Sequence, residues 1–317
     1  MMINLAEELR GVHTVGIAGH IRPDGDSIGS CLGLYLYLKE NYPEIDCTVY
    51  LEHIPAAFHQ MNGTDEITHE IESGKVFDLF FSIDCAGADR LGDAQTYLEK
   101  AGRTICIDHH ISNKGFADVN YIVPEASSAS ELVYRILEPE KIPVDSAAAL
   151  YMGIVHDTGV FRHSCTAPET MEIAAGLMRR GINATKIINS TYYDKTYYQN
   201  QILGKALLDS TRLMDGKVIY TAIHQRDMEF YGVTSADLDG IVQILMGTVG
   251  AEAAIFLYET EPHTFKGSMR SKEFLDVSRI AAHFGGGGHV RAAGCTMKGT
   301  VHEVINTILP HMEAQFA

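Results

Sequence analysis

The sequence predicts an α/β protein of two domains, a larger N-terminal domain on a parallel sheet followed by a smaller C-terminal α/β domain. Three observations lead there. The 317 residues suit two domains at roughly 150 residues each. Short apolar runs ending in polar clusters alternate with amphipathic stretches through the first half, the pattern of βα units. The charge is also divided unevenly: residues 1–200 carry 15 basic and 28 acidic side chains, residues 201–317 only 10 and 13.

The predicted strands of the first half are Thr14–Gly19, Thr48–Leu51, Leu79–Ile83 and Thr104–Ile107. Each is four to six residues long and apolar throughout, as strands buried on both faces are. Helices are expected at Ser27–Glu40, Ser130–Leu137, Asp145–Met152 and Pro168–Arg180. The tyrosine-rich passage after Gly181 lacks proline and reads as a helical connector. Beyond it, strands are expected at Lys217–Ile223, Ala253–Tyr258 and Thr264–Ser268, with helices at Asp276–His283 and Val301–Glu313. The expected domains are therefore 1–185 and 206–317, joined by the connector 186–205.

Composition narrows the function. A net charge of −16 argues against a broad basic face for long nucleic acid. No apolar run approaches the ~18 residues of a membrane span, and the opening MMINLAEELR lacks the basic and apolar regions of a signal peptide. A soluble cytoplasmic protein without membrane partners is expected. The six cysteines are scattered, with neither a disulfide framework nor a paired zinc-ligand spacing, and read as small buried hydrophobes.

The chemistry sits where apolar runs end. The first strand runs into His20-Ile21-Arg22-Pro23-Asp24-Gly25-Asp26-Ser27. In open α/β sheets ligands collect beyond the carboxyl ends of strands. Alternatively, this turn only caps the next helix, with Asp26 or Ser27 as N-cap. Three further ends repeat the theme. Leu79–Ile83 delivers Asp84, Thr104–Ile107 delivers Asp108-His109-His110, and the apolar stretch LYMGIV, treated as another such end, delivers His156-Asp157. Together these point to a metal centre. Six candidate ligands exceed what one ion takes from protein, so two ions are expected. Carboxylates with a minority of imidazoles and no thiolate suit Mn²⁺ or Mg²⁺, with Co²⁺ or Fe²⁺ also accommodated. A pair of such ions suits phosphoryl chemistry.

A second constellation lies near the C-terminus: Gly267-Ser268-Met269-Arg270-Ser271, then Gly285-Gly286-Gly287-Gly288-His289-Val290-Arg291. Consecutive glycine amides can converge on an anion as a nest. Arg270 can add a bidentate clamp and His289 a switchable donor. Phosphate binding is expected here.

With these residues in view, the chain resembles the DHH family of phosphoesterases, named for the motif present as Asp108-His109-His110. HIRPDGDS, the isolated Asp84, the DHH triplet and Asp157 match the family's N-terminal motifs in order and spacing. GSMRS and GGGGHVRAAG resemble its DHH-associated C-terminal domain. The resemblance implies an active site in the interdomain cleft. It implies one ion among His20, Asp24 and a bridging Asp84, and another among Asp26, Asp84, His109 and Asp157. His110 would stand at the edge, touching substrate or polarising water, or else supporting from behind; Asp84 and His110 are thus the catalytic candidates. Asp108 would orient a ligand histidine. Arg270, Ser271, Gly286, Gly287, Gly288 and His289 would hold the substrate's terminal phosphate or nucleotide. Arg90 and Arg162 read as surface arginines, and His156 as packing.

Length and layout are most similar to family members that act as oligoribonucleases (nanoRNases) and as phosphatases of 3′-phosphoadenosine 5′-phosphate (pAp). The resemblance implies a Mn²⁺-dependent enzyme for short RNA or DNA oligonucleotides and phosphorylated nucleotides, with no long nucleic acid as partner and a homodimer left open. The alternative inside the superfamily is hydrolysis of cyclic di-AMP or pApA. A silent nucleotide-binding regulator ranks below both, because all six ligands are retained.

Overall fold

The computed structural model describes residues 3–316. The chain forms two compact units, Met1–Asp194 and Lys195–Ala317.

The first unit opens with the short α1 (Leu5–Glu8) and then β1 (Thr14–Ala18), α2 (Gly25–Asn41), β2 (Asp46–Tyr50) and β3 (Leu79–Ile83). Next come α3 (Gln95–Lys100), β4 (Arg103–Asp108), β5 (Val119–Ile122), α4 (Ala129–Ile136), α5 (Val144–Asp157), α6 (Pro168–Arg179) and α7 (Ala184–Ile188). The strands form one sheet in the order β2-β1-β3-β4-β5, with every pairing parallel. Alternation along β3 divides its side chains between two cores. Leu79, Phe81 and Ile83 join the core built by α2, α4 and α5, while Phe80 packs with Phe77 and Tyr97 on the opposite face. Covering both faces is what allows these strands to be apolar throughout.

Helices α2 and α5 set the geometry of the site. A Cβ on Gly29 would lie 2.5 Å from the Ala149 carbonyl oxygen, and one on Gly33 would meet Leu150. The Ser146 hydroxyl donates to the Gly33 carbonyl at 2.7 Å. Positions rising along α2 thus face positions falling along α5. This antiparallel contact brings Asp26, at the start of α2, and Asp157, at the end of α5, to one end of the pair.

Two corrections follow. LYMGIV is not a strand: it is the last part of α5, so Asp157 leaves a helix C-terminus. An apolar run of six cannot be assigned by periodicity alone. The N-cap of α2 is Asp24, whose carboxylate accepts from the amides of Asp26 and Ser27. Strand β5 has no counterpart among the sequence expectations, for VNYI is only four residues long and gains its state by pairing with β4.

After α7 a π-helical turn (Asn189–Tyr193) leads towards the second unit. There α8 (Tyr197–Leu208), β6 (Thr211–Leu213), β7 (Val218–Ile223), α9 (Gln225–Tyr231) and α10 (Ile241–Met246) precede β8 (Ala253–Glu261) and β9 (Thr264–Ser271). The unit closes with α11 (Val277–His283), β10 (Gly287–His289), β11 (Ala292–Lys298) and α12 (Val301–Phe316). Its mixed sheet runs β10-β11-β9-β8-β7-β6. One face packs Ile255, Leu257 and Met269 against α11 and α12; the other packs Ile219, Ala254 and Phe256 against α8 and α10. Among the described residues, no helix is long and apolar enough to cross a membrane.

Candidate metal centre

Each donor arrives on a different segment, and the first unit brings them together. His20 follows β1, with Nδ1 placed 2.8 Å from the Ile21 carbonyl oxygen. That contact puts a proton on Nδ1 and leaves Nε2 to face the carboxylates. Nε2 lies 3.6 Å from Asp24 Oδ1 and 3.4 Å from Asp84 Oδ2. His109 Nε2 lies 3.5 Å from Asp84 Oδ1, 3.2 Å from Asp157 Oδ2 and 4.0 Å from Asp26 Oδ2.

Three overlapping sets of donor atoms result, each within 4.8 Å: His20, Asp24 and Asp84; Asp26, His109 and Asp157; and Asp84, His109 and His110. Asp84 belongs to two of them. Its backbone takes φ 58°, in the left-handed region, directly after β3, while its amide donates to the Ile107 carbonyl at 3.0 Å. A non-glycine residue held there stores strain of about 1–3 kcal/mol, a feature that clusters at functional sites.

The electrostatics describe a site that wants positive charge. Burial disfavours charge on His20, but the carboxylates of Asp24 and Asp84 outweigh it and raise its pKa to about 10. For His109, burial is likewise overcome by Asp84, Asp26 and Asp157, and its pKa also reaches about 10. Asp26 and Asp157 are pushed upward, first by burial and then by neighbouring carboxylates. Oxygen donors crowded beside imidazole nitrogens at ligand spacing fit hard or borderline divalent cations.

Supports behind the donors are visible only in three dimensions. Both oxygens of Asp26, a residue with 1% exposure, accept amides from the first turn of α4: Ala129 at 2.6 Å and Ser130 at 2.9 Å. The start of α4 is ordered by Ser128, whose hydroxyl accepts from the Glu131 amide. Glu131 is itself buried and accepts from the Ser127 and Thr170 hydroxyls. The signal was present as Ser128-x-x-Glu131, a capping-box spacing; its link to Asp26 was not. Asp108 is fully buried. It holds His110 Nδ1 at 2.7 Å and accepts from Asn113 at 2.7 Å. Asn113 also donates to the Cys85 carbonyl, so it ties the Asp84 loop to the DHH loop.

The remaining residues occupy supporting places. His156 sits between Phe58 and Tyr192, with Nε2 3.1 Å from the Thr191 hydroxyl. Burial lowers its pKa to about 4. Its ring also lies where a Cβ on Gly25 would have to go. Arg90 serves the His20 loop through its backbone, its carbonyl accepting from the Ile21 amide. Arg162 is exposed and follows three consecutive residues of positive φ, Gly159, Val160 and Phe161.

In the second unit the register sorts the expected substrate residues. Ala254, Arg270, Ala292 and His289 form one row across four strands. Residues in a row share a face, so Arg270 and His289 stand on the same side of the sheet. Among the described residues, the buried Arg270 Nε has no partner. Ser271, one position on, points to the opposite face. It is buried, and its hydroxyl donates to the Leu275 carbonyl at 2.5 Å, so Ser271, expected with Arg270 and His289 at the substrate's terminal phosphate or nucleotide, does not share their face. Ser268 shares the Arg270 face instead.

The glycine run is also corrected. The amides of Gly285 and Gly286 donate to the Ala282 and Ala281 carbonyls, closing α11. Gly287 and Gly288 belong to β10 and pair with β11. Four amides therefore do not converge as a free nest. Glycine is required for close approach: a Cβ on Gly286 would lie 2.1 Å from the Gly294 carbonyl oxygen, and one on Gly288 2.4 Å from that of Ala292.

Comparisons with known proteins agree with this layout. Residues 14–154 match the DHH family N-terminal domain, and residues 215–317 match the DHHA1 domain. The bifunctional oligoribonuclease and PAP phosphatase NrnA of Thermus thermophilus is 29% identical over 302 residues, covering 93% of this chain and 88% of that protein. Its namesake in Bacillus subtilis is 28% identical over 289 residues, covering 90% and 89%. The crystal structure of an exopolyphosphatase-related protein from Bacteroides fragilis superposes with a TM-score of 0.89 at 25% identity, covering 98% of this chain and 94% of that one. The ordered motifs, the parallel sheet that gathers their side chains and the two matched domains lead to one assignment: the chain belongs to the DHH family of phosphoesterases, with an N-terminal DHH domain followed by a DHHA1 domain.

Proposed function

We propose that this chain is a Mn²⁺-dependent two-ion phosphoesterase that degrades short oligoribonucleotides to mononucleotides and removes the 3′-phosphate of pAp. The observation that carries the reading is Asp84, shared between donor sets that begin at His20 on one side and His109 on the other. The similar proteins of T. thermophilus and B. subtilis are named for the same pair of activities.

His20, Asp24 and Asp84 would hold one ion, and Asp26, Asp84, His109 and Asp157 the other. Bound divalent ions supply an acidified water and positive charge opposite the phosphate oxygens. The chain's own part is orientation. The Ile21 carbonyl fixes the His20 ring, the α4 amides fix Asp26, and Asp108 fixes His110 with its Nε2 free to hold or pass a proton. Residues 1–185 would carry the reaction and 206–317 the substrate, joined through 186–205. In the second domain Arg270 and His289 would hold the substrate's phosphate, with Gly286, Gly287 and Gly288 keeping the hairpin close enough for them to share a face. The setting we propose is the cytoplasm.

The acidic surface favours short substrates. With a net charge of −16 the chain offers the further phosphates of a long strand no basic track. Purified protein with Mn²⁺ should be offered RNA from 2-mer to 24-mer, pAp, pApA and cyclic di-AMP in parallel at fixed salt. Rapid cleavage of 2-mers to about 5-mers, a steep fall beyond them and inhibition of RNA cleavage by pAp are expected. A 24-mer degraded as fast as a dimer would overturn the short-substrate reading. Turnover confined to cyclic di-AMP and pApA would replace the substrate class.

A further inference from the structure

A cavity of about 450 Å³ opens beside the His20 loop, lined by Arg22 and Pro23 from that loop, by Tyr50, Glu52, His53 and Pro55 from the end of β2 and its sequel, and by His69 and Asp93. That volume is in the range of small-molecule sites. None of these residues belongs to the donor sets, although Arg22 and Pro23 lie between His20 and Asp24.

Three features describe an occupant. The His53 and His69 rings face each other, with centroids 4.9 Å apart and planes tilted by 39°. His69 is fixed by Nδ1 against the Leu51 carbonyl at 2.9 Å, and its Nε2 has no hydrogen bond among the described residues. Arg22 adopts φ 56°, pinned by its amide on Glu52 Oε2 at 2.9 Å and by the Ile21 amide on the Arg90 carbonyl at 2.8 Å. Among the described residues, the Arg22 guanidinium has no hydrogen bond or ion pair. The fold thus holds an arginine in a strained conformation at a cavity whose two carboxylates, Glu52 and Asp93, make no hydrogen bond or ion pair with its guanidinium among the described residues. Such strain persists only where the surroundings over-determine it.

We propose that this cavity is a nucleotide subsite of the first unit, in which Arg22 binds a phosphate and the His53–His69 pair stacks on the attached base. Imidazoles and guanidinium planes are common platforms for unstacked bases, and guanidinium groups match phosphate oxygens in pairs. Asp93 supplies an acceptor for a base amino group. The assignment rests on the phosphoesterase reading for its meaning: the subsite would seat a nucleotide unit of the substrate while its neighbour is cleaved.

The test uses AMP as probe, metal-free full-length protein and fixed pH. The imidazole signals of His53 and His69 are followed by NMR, assigned with His53→Gln and His69→Gln. Both signals should move along one saturation curve. Adenosine and inorganic phosphate, each lacking half of the ligand, should bind about 10-fold more weakly or worse. Arg22→Gln should weaken AMP by about 10-fold. If that variant does not fold, His53→Ala should show a comparable loss. Signals that stay still to about 10 mM AMP, or an affinity unchanged in both variants, would overturn the subsite. AMP binding here by a protein that hydrolyses no phosphoester would keep the subsite and remove the reaction. Hydrolysis without these shifts would do the reverse.

Discussion

Asp84 combines two demands that few residues meet together. Its carboxylate must lie between His20, 3.4 Å away, and His109, 3.5 Å away, and its backbone must hold φ 58°. Asp and Asn tolerate the left-handed region better than other non-glycine residues. Asp84→Asn should therefore keep the fold, with an unchanged circular dichroism spectrum, while removing the shared negative charge. Turnover is expected to fall by at least about 1,000-fold, a barrier increase of ~4 kcal/mol; near-normal rates would remove Asp84 from the centre. Asp108 stands one step back, 2.7 Å from His110 Nδ1. Asp108→Asn should weaken metal affinity or activity by about 10- to 100-fold, as losses of such supporting carboxylates do. Calorimetric metal titration beside a turnover assay measures both, and wild-type values in both would remove the proposed orienting role of Asp108.

At the scale of elements, the α2–α5 contact decides where Asp26 and Asp157 meet. A Cβ at Gly29 would press on backbone, the Ala149 carbonyl and the Gly153 amide at 2.5 and 2.8 Å, so no rotamer change can relieve it. Gly29→Ala should force the helices apart and destabilise the protein by about 1–3 kcal/mol. Urea denaturation reads this as a lower midpoint at constant slope, and metal affinity should fall with it. Gly204 provides the contrast. It lies inside α8, and a Cβ there meets nothing within 4 Å. Gly204→Ala should therefore stabilise the helix by about 0.5–1 kcal/mol through reduced freedom of the unfolded chain. A loss of stability there would mean that the open space is used.

For the whole molecule, the candidate metal centre is a concentration of negative charge held together by the fold. His20 and His109 are raised by the carboxylates around them, so a divalent cation competes for charge that these imidazoles otherwise share. Binding to the folded chain alone stabilises it by mass action, about 2.7 kcal/mol when free metal is 100 times its Kd. All six donors lie in the unit Met1–Asp194. In scanning calorimetry, chelator should lower the transition carried by that unit, and Mn²⁺ should restore it more fully than Zn²⁺, given oxygen-rich donors without thiolate. A transition insensitive to both ions would argue against a resident metal.

The sequence by itself determined the parallel-sheet frame of the first unit and the residues that gather beyond it. Buried strands must be apolar, so their ends are marked wherever His and Asp follow abruptly, as at His20, Asp84 and Asp108-His109-His110. That signal is local. The tertiary structure decided what depends on contacts between distant segments. LYMGIV became the end of α5 because its neighbours α2 and α4 bury it as a helix. VNYI became β5, and Gly287-Gly288-His289 became β10, because a neighbouring strand supplied the hydrogen bonds their composition did not announce. Register separated Arg270 from Ser271, since adjacent strand residues face opposite sides. The amides that hold Asp26 come from residues more than a hundred positions away. Strand and helix patterns repeat along the chain and can be read from it; the partner of a particular carboxylate is chosen by packing, and no periodicity encodes it.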